Sequence, residues 1–465
     1  MNDLNGKKKI FLIGIGGIGM SALAVILNKR GFEVLGSDRS NSKTVEILKE
    51  IGIKVFIGHE SDNITKDIDL VVYTNAISDD NPEYLKAKEL KIPVMERAKM
   101  LNILASGKFA IGISGTHGKT TTTSMIAKIF LNASKDPTLA VGGHLNEING
   151  SGYEGSGKYF IYEACEAFGS FLKLFPEIAV VTNIDDDHLD YYKKFSNVKK
   201  AFYQYLKDNV PIYGTIIYNS DDKPLNSVVK KIKNKRKISV GIKNKKADFV
   251  AKDIVLDEFS SNFTVCRKGK IVGRFFLNIP GIHNVYNALL AIATANANGI
   301  EYEDVYRTLA NFKNADRRFQ IKSKSEDLTV IDDYAHHPSE ILATLSAAKN
   351  LSMKKNAILI AIFQPHLYSR TELLYKEFAR SLSIADKVVL TEIYAAREKN
   401  EHNITTKIVY DEIIKIKGKE NVFYTESLEN IPDTLKPLLL NKKNVVVTLG
   451  AGDVWKISEK LAGNL

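Results

Sequence analysis

Short apolar runs alternate with longer amphipathic segments along most of the chain, and many of the runs end in glycine or in ionisable residues. Ile10 to Ile13 is the first such run. It is apolar on both faces, as expected of a buried parallel strand. An Ala- and Leu-rich segment follows to about Lys29 and predicts a helix, and Glu33 to Gly36 predicts the next strand. Further strands are expected at Lys54 to Phe56, Leu70 to Thr74 and Pro93 to Met95. The same rhythm returns at Phe109 to Ile113, Tyr159 to Glu163 and Ile178 to Thr182. It returns again at Thr329 to Asp332, Ala357 to Phe363, Lys387 to Thr391 and Asn444 to Leu449. Asp248 to Phe276 alternates apolar and polar positions instead, with Lys268-Gly269-Lys270 as its turn, and predicts peripheral antiparallel strands. The fold class expected is α/β with three domains. The first, residues 1–106, is Rossmann-like. The second, 107–315, is a P-loop-type parallel sheet with peripheral antiparallel strands. The third, 316–465, is again Rossmann-like.

Chemistry gathers where strands end. After Ile13 comes Gly14-Ile15-Gly16-Gly17-Ile18-Gly19. Gly14 suits a tight turn, Gly16 lets a diphosphate approach the backbone, and Gly19 allows close packing of the helix on its strand. Asp38, about 20 residues on, is placed to meet a ribose hydroxyl. Thr74-Asn75-Ala76-Ile77 sits just past a strand, where such folds contact ligands. This motif suits a UDP-type ligand or another dinucleotide, with nicotinamide or a structural turn as alternatives.

Ser114-Gly115-Thr116-His117-Gly118-Lys119-Thr120-Thr121 joins strand to helix and is a variant phosphate loop. The strict pattern places Gly where this chain has Ile113. Lys119 would reach the β and γ phosphates of ATP, and Thr120 would offer a hydroxyl to Mg²⁺. Glu163 ends a strand, with Glu166 close behind. Asn183 to Asp190 brings His188 beside several carboxylates. Oxygen ligands with one imidazole suit Mg²⁺, with Mn²⁺ as the alternative. His283 and Asn284 open a helix and can either bind nucleotide or cap it. Arg317 and Arg318 together suit a γ-phosphate clamp. Asp333, Tyr334, His336, His366, Arg370, Tyr394 and Arg397 follow successive strand ends and suit an anion or carboxylate site.

Composition narrows the classes. Hydrophobic residues make up 44%, so each domain can hold a core. The net charge of +11 comes from 65 basic and 54 acidic residues spread through the chain. The densest basic run, Lys230 to Lys237, is expected to be solvated surface, and no nucleic-acid partner is expected. Two cysteines far apart do not suggest a disulfide framework, and no apolar stretch reaches the length of a membrane span. A cytoplasmic protein without membrane insertion is expected.

Taken together and in order, GIGGIGMSALA, GTHGKTTT, YEACEAFGSF, TNIDDDHLDYY, GIHNVYNALLAI, DRRF, DDYAHHPSEI, FQPHLYSRT and LGAGD closely resemble the Mur ligase family of peptidoglycan synthesis, over essentially the whole chain. The resemblance is to the members that add the first amino acid. It implies an ATP- and Mg²⁺-dependent ligase that joins L-alanine to the carboxylate of UDP-N-acetylmuramate through an acyl phosphate, as a monomer or weak homodimer. It implies that Gly14, Gly16, Gly17, Ile18, Gly19, Asp38, Thr74 and Asn75 bind the UDP-sugar. Gly115, Thr116, His117, Gly118, Lys119, Thr120, Thr121, His283, Asn284, Arg318 and Asp333 would hold nucleotide. Thr120, Glu163 and His188 would hold the metal. Tyr334, His336 and Arg370 would lie near the amino acid, and Lys119, Arg318, His336 and Arg370 would serve catalysis. The chain departs from many relatives at Cys165 and Phe168, where they carry Asp, and at Leu367, where some carry Arg. Neither Lys199 nor Lys200 has a basis for assignment as the carbamylated lysine of other members. A sister ligase that attaches a tripeptide during cell-wall recycling is the nearest alternative. A nicotinamide dehydrogenase leaves the second phosphate loop unexplained, and a non-catalytic nucleotide sensor is a third class.

Overall fold

The structure is a computed structural model that describes residues 4–463 apart from Ala76, Arg397 and Asn441, and apart from the side chain of Asp190. Ala76 and Arg397, singled out above, therefore lie outside the described residues.

Three sheets carry the fold. The first holds β1 (Lys9–Ile13), β2 (Glu33–Asp38), β3 (Lys54–Ile57), β4 (Leu70–Tyr73) and β5 (Val94–Glu96) in the order β3-β2-β1-β4-β5. Every pairing in it is parallel. Parallel strands must be joined by crossovers, so both faces are covered, and Ile10 to Ile13 are accordingly buried throughout. The order reverses between β1 and β4. This is the switch point at which open α/β sheets leave a crevice, and it lies at Gly14 and Thr74.

The central sheet contains β6 (Phe109–Ser114), β7 (Thr138–Leu145), β8 (Gly150–Tyr153), β9 (Tyr159–Glu163), β10 (Ile178–Val181), β11 (Thr215–Asn219), β12 (Arg236–Gly241), β13 (Phe249–Leu256), β14 (Ser261–Arg267) and β15 (Lys270–Leu277). Its order is β15-β14-β13-β12-β11-β10-β6-β9-β7-β8. The strands from β13 to β7 pair in parallel, and β8 closes one edge antiparallel to β7. The predicted turn at Lys268-Gly269 is present, with φ of 47° and 82°. The alternating segment forms three strands, and the first of them, β13, joins the parallel part.

The last sheet is β16 (Gln320–Lys324), β17 (Leu328–Asp333), β18 (Ile358–Phe363), β19 (Lys387–Leu390), β20 (Val422–Tyr424) and β21 (Asn444–Leu449), ordered β16-β17-β21-β18-β19-β20. Only the β16–β17 pairing is antiparallel.

Two compact units result, and they do not follow the chain in blocks. One contains the first sheet, most of the central sheet and residues Tyr286–Asn311. The other contains the chain from Phe312 onward with Asp253–Phe263 and Phe276–Val285. Within the first unit a single apolar cluster runs from Ile10 and Leu23 through Phe160 and Tyr162 to Phe202 and Leu225. Ser21 Oγ meets Ser151 Oγ at 2.9 Å, tying the helix Ile18–Lys29 to β8. No helix among the described residues is long and apolar enough to cross a membrane.

Candidate functional site

In the first unit, β1 runs into a loop whose conformation depends on glycine. Gly14 has a φ of 75°, a left-handed value that costs a residue with a Cβ roughly 1–2 kcal/mol. A Cβ at Gly16 would lie 2.9 Å from Asp38 Oδ2, and Gly16 N–H donates to that oxygen at 2.9 Å. One carboxylate oxygen of Asp38 thus holds the glycine loop itself. Gly19 departs from the packing role expected of it, since its nearest neighbour is the Arg97 guanidinium. Close approach to the strand falls to Gly36 instead, where a Cβ would lie 2.3 Å from Leu12 O. Periodicity could not show this, because Gly36 meets β1 only once the sheet has formed. Thr74 stands beside Gly14, whereas the Asn75 amide donates to Glu96 at 2.7 Å.

The phosphate loop joins β6 to the helix Lys119–Asn132. Gly115 and Gly118 have φ of 129° and 79°. A Cβ at Gly115 would lie 2.0 Å from Thr182 Oγ1, and one at Gly118 would lie 2.7 Å from Asn287 Oδ1. These two contacts press the loop against the end of β10 on one side and the helix Ile282–Ala297 on the other. Loop and neighbour are then stitched together. Thr116 N–H donates to Asn183 O at 3.1 Å, and His117 N–H donates to Asn183 Oδ1 at 2.9 Å. Asp185 N–H donates to Thr116 Oγ1 at 2.9 Å, and the His117 ring nitrogen Nε2 lies 3.0 Å from Asp185 Oδ2. The first four amides of a helix have no acceptor within it. Here they belong to Gly118, Lys119, Thr120 and Thr121, and Thr122 is the first to bond back into the helix, to Gly118 O at 3.0 Å. Such a terminus is a ready anion site.

Lys119 is half-buried and folded back on its own loop. Its Nζ donates to Gly115 O at 2.5 Å and Thr116 O at 2.9 Å, and lies 3.0 and 3.1 Å from the two Glu166 oxygens. Burial opposes its charge, but the Glu166 carboxylate prevails and the ammonium is held charged more firmly than usual. The same Glu166 approaches His188 Nε2 at 3.8 Å, and its carbonyl accepts from Tyr192 Oη at 2.6 Å. Glu166 therefore links the loop lysine to the imidazole expected at the metal. Glu163 accepts from Gly142 N–H at 2.9 Å.

A cavity of ≈ 360 Å³ lies between Glu163 and the glycine loop after β1. Its walls include Gly14, Gly17, Ile18, Gly19 and Thr74 from the first sheet, and Gly142, Glu163 and Cys165 from the central one, with Arg97 between. Glycine loop and Glu163 thus share one chamber. Arg97 and Gly142 were not legible as site residues, since each belongs to an element whose sequence is unremarkable, and Asn287, although inside the GIHNVYNALLAI motif, carried no signal of its contact with Gly118.

The donors suit a magnesium-bound nucleotide. A hydroxyl and a carboxylate are oxygen donors of the kind Mg²⁺ prefers, with one imidazole beside them, and the two positive-φ glycines let the loop pack closely enough on Thr182 and Asn287 to turn its amides outward.

The second unit has its own polar strand ends. Arg317 and Arg318 do not act as a pair of anion ligands. Arg317 Nε donates to the buried Asp332 at 3.1 Å, and its other nitrogens donate to Gly450 O at 2.6 Å and Gly452 O at 3.2 Å. It ties β17 to the loop after β21. Both guanidinium groups lie 5.1 Å from the Tyr334 ring centre. Asp333 accepts from Phe319 N–H at 2.8 Å and Ala335 N–H at 2.7 Å. Burial pushes its carboxyl up to about 6, against the pull of Arg318.

His336 packs against Tyr334 and His366, and His366 stacks on Tyr394, so three strand ends meet in one aromatic cluster. The His336 ring lies 3.0 Å from Tyr334 O and 3.4 Å from Glu340. Leu367 holds a φ of 71° just before the helix Tyr368–Leu382, which carries Arg370 in its first turn. His283 and Asn284 also belong to this unit. The Asn284 amide donates back to Pro280 O at 2.7 Å, while burial lowers His283 to about 4, so its ring is neutral.

Profiles of three Mur ligase segments match the chain. They are the Mur ligase family catalytic domain over residues 9–109, the Mur ligase middle domain over 113–295, and the Mur ligase glutamate ligase domain over 317–452. A UDP-N-acetylmuramate–L-alanine ligase of Caldanaerobacter subterraneus subsp. tengcongensis is 45% identical over 98% of both chains. The crystal structure of a UDP-N-acetylmuramate-alanine ligase from Thermotoga maritima superposes with a TM-score of 0.82, at 29% identity, over 98% of each chain. A murein peptide ligase from Psychrobacter arcticus has a TM-score of 0.75 over 98% of this chain and 99% of its own, but at 24% identity it shares the fold alone. With this likeness spanning nearly its whole length and both phosphate loops in place, the chain belongs to the Mur ligase family.

Proposed function

We propose that this enzyme joins L-alanine to the carboxylate of UDP-N-acetylmuramate at the expense of ATP, in the synthesis of peptidoglycan precursors. The observation that carries the proposal is the chamber shared by the Gly14–Gly19 loop and Glu163, beside a phosphate loop on the same unit. A ligase of this kind needs a nucleotide-sugar and a triphosphate held together, and a dehydrogenase or a sensor does not.

A carboxylate is a poor acyl donor in water. An oxygen of the muramyl carboxylate attacks the γ-phosphorus, the bond to ADP breaks, and an acyl phosphate results. The amine of alanine then attacks the acyl carbon, phosphate leaves with the bonding pair, and the amine gives up its proton. The chain's part is positioning and charge neutralisation. Lys119 and the amides from Gly118 to Thr121 receive the phosphates, and Arg318 and Asp333 are assigned to nucleotide. Gly14, Gly16, Gly17, Ile18, Gly19 and Thr74 are assigned to the UDP-sugar, and Tyr334, His336 and Arg370 to the amino acid. Magnesium, held by Thr120, Glu163 and His188, would supply charge neutralisation at the β and γ phosphates. ATP, a nucleotide-sugar and two free thiols favour a cytoplasmic setting.

Phosphate release tests the proposal. With UDP-N-acetylmuramate, ATP and Mg²⁺, adding L-alanine should start turnover, and adding the tripeptide of the recycling ligase should not. Turnover with the tripeptide alone would transfer the chain to that activity. NADH oxidation, or nucleotide binding without phosphate release, would overturn ligation.

A further inference from the structure

The basic run Lys230–Lys237 plays no part in the ligase chemistry, yet the fold places it beside three exposed apolar side chains, two of which are the most exposed large apolar side chains among the described residues. Ile212 and Tyr213 are each 79% exposed, and Phe175 is 55% exposed. All three sit just before parallel strands that are neighbours in the central sheet. Phe175 precedes β10, Ile212 and Tyr213 precede β11, and the basic run leads into β12. Ile178 is paired with Thr215, and Thr215 with Arg236, so these segments form one edge. Hydrogen bonds hold the edge together. Lys235 Nζ donates to the carbonyls of Lys207 and Val210, and Thr215 N–H donates to Glu177 O. The turn Pro211–Gly214, closed by Gly214 N–H to Pro211 O at 2.9 Å, puts Ile212 and Tyr213 at its tip.

Charge on this edge is one-sided. Residues 173–178, 205–215 and 230–237 contain eight basic and two acidic side chains, and of the basic ones only Lys173 is paired with a carboxylate from outside these segments, Glu96. Of the two acids, Glu177 is turned inward onto Ala110 N–H at 2.6 Å, which leaves Asp208 as the exposed one. Lys230, Lys231, Lys233 and Arg236 are all exposed.

We propose that this edge docks reversibly on a bilayer rich in acidic phospholipid. Adjacent aliphatic and aromatic side chains on a rigid turn, ringed by lysines, suit shallow insertion beneath negatively charged headgroups. A nucleic acid would meet the lysines but offers nothing to Ile212. The Asn183–His188 segment lies at the opposite end of β10, and the phosphate loop at the matching end of its parallel neighbour β6, about 15 Å away for strands of four to six residues. Docking therefore leaves the reaction crevice facing solvent.

Co-sedimentation of the full chain with vesicles tests this. One set is phosphatidylcholine alone, and the other contains about a third phosphatidylglycerol, each at low and physiological salt. Binding at least tenfold stronger to the anionic set, and weakened by salt, is expected. Ile212→Ser with Tyr213→Ser should reduce it at least fivefold. Lys230→Glu, Lys231→Glu and Lys233→Glu together should abolish it. Both variants should keep full ligase turnover, since the altered side chains are exposed and remote from the crevice. Equal binding to both vesicle sets, or parental binding by both variants, would overturn the proposal. So would loss of a concentration-dependent dimer, or of single-stranded DNA binding, in these variants when the parent shows no affinity for anionic vesicles.

Discussion

Lys119 and Glu166 have opposed tasks that a pair of substitutions can separate. The ammonium is assigned to the transferring phosphate, yet its counterion in the structure is Glu166. Their side chains are only 14% and 2% exposed. Removing one partner of such a buried pair costs about 3–5 kcal/mol, because the other charge is left without compensation. Lys119→Met keeps the apolar stem and should destabilise the first unit by about 3 kcal/mol, toward the low end because Glu166 can take up a proton. Glu166→Gln should cost somewhat less, since the ammonium keeps the carbonyls of Gly115 and Thr116. The double variant should be more stable than the sum of the two effects predicts, with a coupling of about 1–3 kcal/mol.

Catalysis should not follow that pattern. Loss of one oriented donor to a developing negative charge costs about 10²–10³ in kcat, and Lys119→Met and the double variant should both fall at least that far. Glu166→Gln, which retains the lysine, should stay within about tenfold of the parent. Urea unfolding followed by circular dichroism gives the stabilities. Emission from the single tryptophan, Trp455, would report on the other unit. Phosphate release gives the rates. Recovery of turnover in the double variant would refute the reasoning, because it would mean that Lys119 serves only to neutralise Glu166. Strict additivity of the stabilities would refute the ion pair.

Other consequences can be checked one at a time. Burial raises the Asp222 carboxyl to about 6, with Asp185 adding to the effect and the amides of Leu225 and Ile184 opposing it. Because the folded value exceeds the unfolded one of about 3.9, this group's contribution to stability is complete below about pH 4 and is lost as pH rises through 6. Asp222→Asn, which still accepts the helix-cap bond, should therefore match the parent in Tm near pH 4 and exceed it above pH 6. An equal offset at every pH would count against this. Gly118→Ala should raise KM for ATP at least tenfold, and Asn287→Ala in the same chain should recover part of it by clearing the 2.7 Å contact. No recovery would leave the left-handed backbone as the whole cause. Burial, reinforced by Glu166, pushes the Cys165 thiol up, although it lines the chamber beside the Gly14–Gly19 loop. Alkylation at Cys165 should be slow at neutral pH, faster as pH rises, and suppressed by UDP-N-acetylmuramate, with mass spectrometry to distinguish it from the buried Cys266. Labelling that the sugar nucleotide does not slow would remove Cys165 from the chamber wall.

The order of strands and helices, both phosphate loops and the α/β class are local properties of the chain. A buried parallel strand must be apolar throughout, a phosphate loop needs glycine where φ is positive, and such signals occupy a few consecutive residues. Gly14, Gly115, Gly118 and Lys119 could be found that way. Arg317 could not, because an arginine next to Arg318 looks like a phosphate ligand until β17 and the loop after β21 are brought together around it. Glu166 could not either, since its importance comes from meeting Lys119 and His188, residues 47 and 22 positions away in the chain. The same holds for Asn287 against Gly118, Glu163 beside the Gly14 loop, and the basic run beside Ile212 and Tyr213. Sequence determines which conformations each short segment can adopt. Which charges neutralise one another, and which walls share a chamber, depends on distances across sheets that exist only after folding.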